Sequence, residues 1–119
     1  CVITAIWGLE SSYGKDQGNF SAIQSLATLG FQSSRKGFYQ KELLIALKMV
    51  DNQQISLHRF KGTWAGASGQ SQFMPSSWEA YAIDFNKDGK KDIWNNTQDA
   101  LASAANFLKK MIGKAISLS

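Results

Sequence analysis

Cysteine is almost absent. Cys1 is the only one in 119 residues, so no internal disulfide can form. Histidine is equally scarce: His58 stands alone, which excludes a histidine cluster for zinc and leaves a charge-relay triad without support. No apolar run is long enough to span a bilayer, and no stretch has the build of a secretory signal. A dense block of one charge is also missing. Lys87, Lys90 and Lys91 are interleaved with Asp88 and Asp92, which suits a solvated turn better than a nucleic-acid groove. The apolar stretch that follows Cys1, Val2 to Trp7, is helix-like and no polar tether, so the sequence is expected to begin inside a helix.

What is present reads as one globular domain. Hydrophobic residues make up 44% and charged residues 18%, enough apolar content for a modest core. The net charge of +4 favours anionic partners such as an acidic cell-wall polymer.

The pattern predicts an all-α chain, since no stretch alternates as a strand does. A first helix ends near Tyr13, with Gly14 as its stop. Asn19 is expected to cap a second, from Phe20 to Leu29, ended by Gly30. The third runs from about Phe38 to Val50, with Leu43, Leu44, Leu47 and Val50 inward and Lys41, Glu42 and Lys48 elsewhere. "ISLHRF" suggests a short helical piece. Ser76 is expected to start a short helix to about Ile83, with Glu79 completing a capping box. Asn96 caps the last, from about Thr97 to Ile112, with Leu101, Ala104, Ala105, Leu108 and Met111 inward; Gly113 stops it and the tail 114–119 frays.

Three features carry candidate chemistry. Glu10 lies in "IWGLESSYG", a lone carboxylate among Trp7, Leu9 and Tyr13. An apolar, partly dry setting raises a carboxyl pKa, which suits a general acid; the alternative is an exposed acid near a helix end. No second carboxylate shares its turn, so a mechanism in which the substrate supplies the nucleophile fits better than a two-acid one.

The second feature is "KGTWAGASGQSQFMPSS". Three glycines and a proline rule out a long regular element, and the large residues Trp64, Gln70, Phe73 and Met74 rule out a slack linker. Thr63, Ser68, Ser71 and Gln72 offer groups for sugar hydroxyls and acetamido groups. Trp64, Phe73 and Trp78 offer ring faces, unless they are core. Phe73, Pro75 and Ser76 are read as structural. The third is "DFNKDGKKDIWN". Asp84, Asn86 and Asp88 occupy alternate positions before Gly89, as at the start of an EF-hand calcium loop; Lys90 would give its backbone carbonyl. Asn95 stands where a bidentate glutamate belongs, so affinity should be low. A calcium-free turn built from Asp, Asn and Gly is the alternative.

The blocks "IWGLESSYG", "SLATLGF", "KGTWAGASGQSQFMPSSWEAYAIDFNKDGKKDIWN" and "DALASAANFL" together resemble the lytic murein transglycosylases of the membrane-bound lytic transglycosylase B type. The likeness covers nearly the whole chain. It implies a lysozyme-like helical catalytic domain over 1–113, partial at both ends, with a calcium-binding EF-hand-like loop. It also implies cleavage of the β-1,4 bond between N-acetylmuramic acid and N-acetylglucosamine in peptidoglycan, leaving 1,6-anhydromuramic ends. By that resemblance Glu10 is the acid and base. Gln72, Thr63, Tyr13 and Tyr81 contact substrate. Asp84, Asn86, Asp88, the Lys90 carbonyl and Asn95 surround a calcium ion, with no cofactor required for the reaction. The Asn106–Phe107 pair resembles a structural Asn-Tyr pair. The partner is a glycan strand rather than nucleic acid, and the setting is the bacterial periplasm or envelope. Relatives carry a further Tyr-Asn region that this sequence lacks. A lysozyme-type hydrolase and a binding fragment without turnover are the alternatives.

Overall fold

The computed structural model of the chain describes residues 17–118. Glu10 and Tyr13 therefore lie outside the described residues. The elements run β1 (Phe20–Ser21), α1 (Ala22–Gln32), α2 (Lys36–Asp51), β2 (Lys61–Gly62), α3 (Pro75–Tyr81) and α4 (Thr97–Leu118). The all-α expectation holds for the bulk of the fold. The strands are two-residue pieces, paired antiparallel with Phe20 opposite Gly62 and Ser21 opposite Lys61.

The helix boundaries correct several expectations. Ser21, rather than Asn19, caps α1: its hydroxyl accepts the Gln24 N–H at 3.3 Å. The signal was in the sequence, since Ser21 and Gln24 have capping-box spacing. Gly30 does not end α1. It lies buried inside the helix, where an added Cβ would stand 3.2 Å from Gln40 Cγ, and its carbonyl accepts the Gln40 side-chain N–H at 2.8 Å. That glycine lets α2 approach. "ISLHRF" forms a turn, with the Arg59 and Phe60 amides both bonded to the Ser56 carbonyl at 3.1 Å. Asn96 caps α4 as expected, accepting the Asp99 N–H at 3.2 Å. Gly113 does not stop that helix, which continues to Leu118.

The buried face of α2 also differs from expectation. Ala46 and Met49 point inward together with Glu42, while Leu44 is 60% and Leu47 45% exposed. The core joins Ala22 and Leu26 of α1, Ala46 and Met49 of α2, Phe60, Phe73, Trp78, Ile93, Trp94 and Ala100. Trp94 is its hinge point, with Phe60 edge-on at 5.8 Å and Trp78 at 6.4 Å. Burying side chains of this size contributes roughly 1.5–3 kcal/mol each. The two irregular stretches, 62–74 and 84–96, meet at this cluster, where the Gln70 N–H bonds to Ile93 O and the Trp94 indole N–H to the Ser68 hydroxyl.

Candidate active-site loop and acidic loop

Residues 62–74 fold back on themselves. The Thr63 N–H bonds to Ala67 O at 2.8 Å and the Gly66 N–H to Thr63 O at 3.0 Å. This tight turn pushes Trp64 outward, 66% exposed. Next, the Ser68 and Phe73 backbones exchange two bonds of 3.0 Å, closing a short hairpin whose ends are Gly69 and Gln72. Both of those residues have positive φ, +77° and +52°. For glutamine this left-handed backbone costs energy that surrounding contacts must offset.

The polar residues of the loop divide by task. Ser68 is 2% exposed and its hydroxyl accepts the Trp94 indole N–H. Gln70 is 6% exposed; its backbone N–H bonds to Ile93 O and its amide to Trp94 O. The Ser71 hydroxyl donates to Ala100 O at 2.8 Å. These three are framework. Phe73 and Trp78, 6% and 8% exposed, are core, so of the three candidate ring faces only Trp64 is presented to solvent.

Gln72 and Thr63 are different, because both meet the backbone at Gln17 and Gly18. The Gln72 amide donates to Gly69 O at 2.9 Å and to Gln17 O at 3.2 Å. A Cβ placed on Gly18 would fall 2.2 Å from Gly62 O and 2.8 Å from Thr63 N, so the two segments touch there. With its N–H groups given to carbonyls, Gln72 can meet a ligand only as an acceptor, through Oε1. It also lines a cleft of about 420 Å³ with Met74, Ser77, Phe107 and Leu108. Trp64 lines another, of about 320 Å³, with Phe20, Gln24, Ser25 and Thr28. Tyr81 lines neither cleft. It is stacked edge-on against Phe107 at 5.2 Å and faces Lys109, Lys110 and Lys114 on α4. Asn106 is structural as expected: its amide donates to Tyr81 O at 3.0 Å.

The acidic loop is organised by carboxylates. Asp84 accepts the Asp88 and Gly89 N–H groups at 3.1 and 2.8 Å. Asp88 accepts the Lys90 N–H at 3.0 Å, and this bond above all holds its carboxyl below the ordinary 3.8. Gly89, at φ +91°, makes the sharp turn required at the sixth position of such a loop. The acid that meets this cluster from outside is Asp99. Oxygens of Asp84, Asp88 and Asp99 lie within 4.8 Å of one another. Asp99 is fully buried and accepts the Phe85 and Asp92 N–H groups at 2.8 and 2.9 Å. The sequence pattern missed Asp99 because it lies beyond the loop, in the first turn of α4. Asn95, the expected twelfth ligand, is exposed; its N–H bonds to Asp92 and it borders a groove with Gln53 and Gln54.

A transglycosylase SLT domain model matches residues 1–113. The chain belongs to the transglycosylase SLT domain family. It is 38% identical over 109 residues to the membrane-bound lytic murein transglycosylase B of Escherichia coli K12, covering 91% of this chain and 30% of that protein. Among solved structures, Pseudomonas aeruginosa SltB3 in complex with NAG-NAM-pentapeptide superposes with a TM-score of 0.88 at 48% identity, over 91% of this chain and 29% of that one. The Escherichia coli lytic transglycosylase Slt35 in complex with calcium gives 0.86 at 38% identity, over 92% and 35%. The SLT domain chain thus spans about a third of the length of these relatives.

Proposed function

We propose that this SLT domain provides part of the catalytic centre of a peptidoglycan lytic transglycosylase. Glu10 protonates the glycosidic oxygen between N-acetylmuramic acid and N-acetylglucosamine. It then takes the proton of the muramyl 6-hydroxyl as that oxygen attacks the anomeric carbon, giving a 1,6-anhydro end without a water molecule. One carboxyl group suffices, because the nucleophile belongs to the substrate. Gln72 accepts a hydrogen bond from the sugar through Oε1, and the Thr63 hydroxyl and the Trp64 ring border the same strand. Tyr13 and Tyr81 are further candidate contacts. The observation that carries the reading is the meeting of Thr63 and the Gln72 amide at Gln17 and Gly18, the backbone just downstream of Glu10. The likeness to a relative whose structure holds NAG-NAM-pentapeptide supports the substrate class.

The acidic loop suits calcium. Its donors are hard oxygens, and Asp84, Asp88 and Asp99 fall within one ion's reach. Asn86 and the Lys90 carbonyl would complete the set, with Asn95 outermost; a bound ion would neutralise the cluster and stiffen the loop. The proposed setting is the bacterial envelope or periplasm, in keeping with the membrane-bound relative.

The test is mass spectrometry of purified peptidoglycan treated with this chain and with Glu10→Gln. Anhydromuramyl ends from the parent alone are expected. Reducing ends mean a hydrolase, and binding without products means a fragment that needs the rest of its protein. Cleavage by Glu10→Gln removes Glu10 from the mechanism.

A further inference from the structure

Glu42 is an acid for which the proposed reaction has no use, yet it is only 2% exposed. Burying a carboxylate is unfavourable unless strong hydrogen bonds compensate. Among the described residues, both of its hydrogen bonds come from Ser76. Oε2 accepts the Ser76 backbone N–H at 3.0 Å, and Oε1 accepts the Ser76 hydroxyl at 2.5 Å.

Ser76 is the second residue of α3, after Pro75, which has no N–H, and Met74 at the N-cap contributes no side-chain bond. The Ser76 amide is therefore the first donor at that end without an intrahelical acceptor. A carboxylate fits there, since the positive end of a helix favours negative charge. The acid comes from α2, so it ties α3 to another element instead of capping locally. α3 follows the hairpin without a spacer: Gln72, Phe73 and Met74 lead straight into Pro75. Fixing Ser76 fixes where the hairpin must end, and Gln72 stands there in its left-handed backbone.

We infer that Glu42 is a positioning residue: reaching from α2 to Ser76, it sets the end of the 68–73 hairpin and through it the direction of the Gln72 amide. This rests on the reading of Gln72 as a glycan contact, and the experiment separates the two. Glu42→Gln keeps the size of the side chain but removes the charge from both bonds, and the Ser76 hydroxyl must turn from donor to acceptor to keep a partner in the amide N–H₂. Hydrogen exchange should accelerate about tenfold at Ser76, Gln72 and Phe73, while Leu26 in α1 and Met49 in α2 keep their rates. Affinity for a NAG-NAM-peptide fragment should fall as it does in Gln72→Ala, and the double variant should fall no further than Gln72→Ala alone.

Uniform acceleration, or additive losses of affinity, would mean that Glu42 is only structural and would overturn the inference. If Glu42→Gln does not fold, Ser76→Ala serves: it keeps the backbone bond, loses the hydroxyl bond, and should give a smaller change confined to the same amides. Unchanged loop exchange there also overturns the inference. A parent chain that binds no fragment sinks the glycan reading and the substrate half of the inference, while the exchange rates still decide whether Glu42 holds the hairpin.

Discussion

The hairpin loop of 62–74 and the acidic loop of 84–96 are both irregular, and they are held by opposite means. The first is held by backbone and packing. Ser68 pairs with Phe73, Gln70 and Ser71 bond to main-chain carbonyls, and Gly69 lies so close to Ile93 that a Cβ would come within 2.7 Å of its side chain. The second is held by side-chain oxygens. Asp84, Asp88, Asp92 and Asp99 each accept backbone N–H groups. At the tip of that loop, a Cβ added to Gly89 would meet no described atom within 4 Å. Steric closeness makes the hairpin intolerant of added atoms. The acidic loop instead depends on charged oxygens, and the Lys90 N–H holds the Asp88 carboxyl in its charged form.

Gly62→Ala should break that contrast most forcefully if the hairpin is loose. Its Cβ would sit 2.0 Å from the Ala67 carbonyl oxygen, a backbone atom that cannot swing away. The expected loss is about 3 kcal/mol or more in denaturant unfolding; a loss below ~1 kcal/mol would show that the loop shifts freely. Next comes Asp99→Asn. An amide keeps one acceptor for two backbone donors, so a loss of roughly 1–3 kcal/mol is expected. Any rise in melting temperature on adding calcium should shrink with it. A calcium response unchanged in Asp99→Asn would separate Asp99 from the ion.

Gly89→Ala sharpens the comparison from the other side. The alanine meets no neighbour, so only its left-handed backbone opposes it, at about 1 kcal/mol. A loss as large as that of Gly62→Ala would mean that both loops are sterically held. The smallest effect belongs to Asp88. Its carboxyl, stabilised in charged form by the Lys90 N–H, should titrate by NMR below 3.8. Because the folded value is depressed, whatever Asp88 contributes to stability is present above the unfolded pKa and fades as pH falls through the folded one. A midpoint at or above 3.8 would contradict the hydrogen-bonded loop.

Much of this was legible in the chain. Local chemistry carried it: Asn96 as a cap, Gly89 as a turn, Asp84 and Asp88 as spaced acids, and the ordered character of 62–77. Most of the corrections come from contacts between distant parts of the chain. Glu42 reads as a surface charge on a helical wheel, and only the arrival of Ser76 from a distant part of the chain makes its burial favourable. Gly30 and Gly113 both read as helix stops by residue type. One is retained inside α1 because α2 passes close by, and the other lies exposed in α4, where helix propensity alone costs only about 1 kcal/mol. Asp99 falls outside any loop motif and joins the acidic cluster only through the folding of α4 against it.

The sequence by itself determined the helical class, the family, and which residue types could do chemistry, because periodicity, turn preferences and motif spacing are local properties. The tertiary structure decided which of those residues are spent on the framework, because partners distant in the chain meet only on folding. Ser68, Gln70 and Ser71 look as available as Gln72 in the sequence. They differ because three have partners in Trp94 and Ala100 that only the fold brings near, whereas the Gln72 amide turns toward the Gln17 backbone.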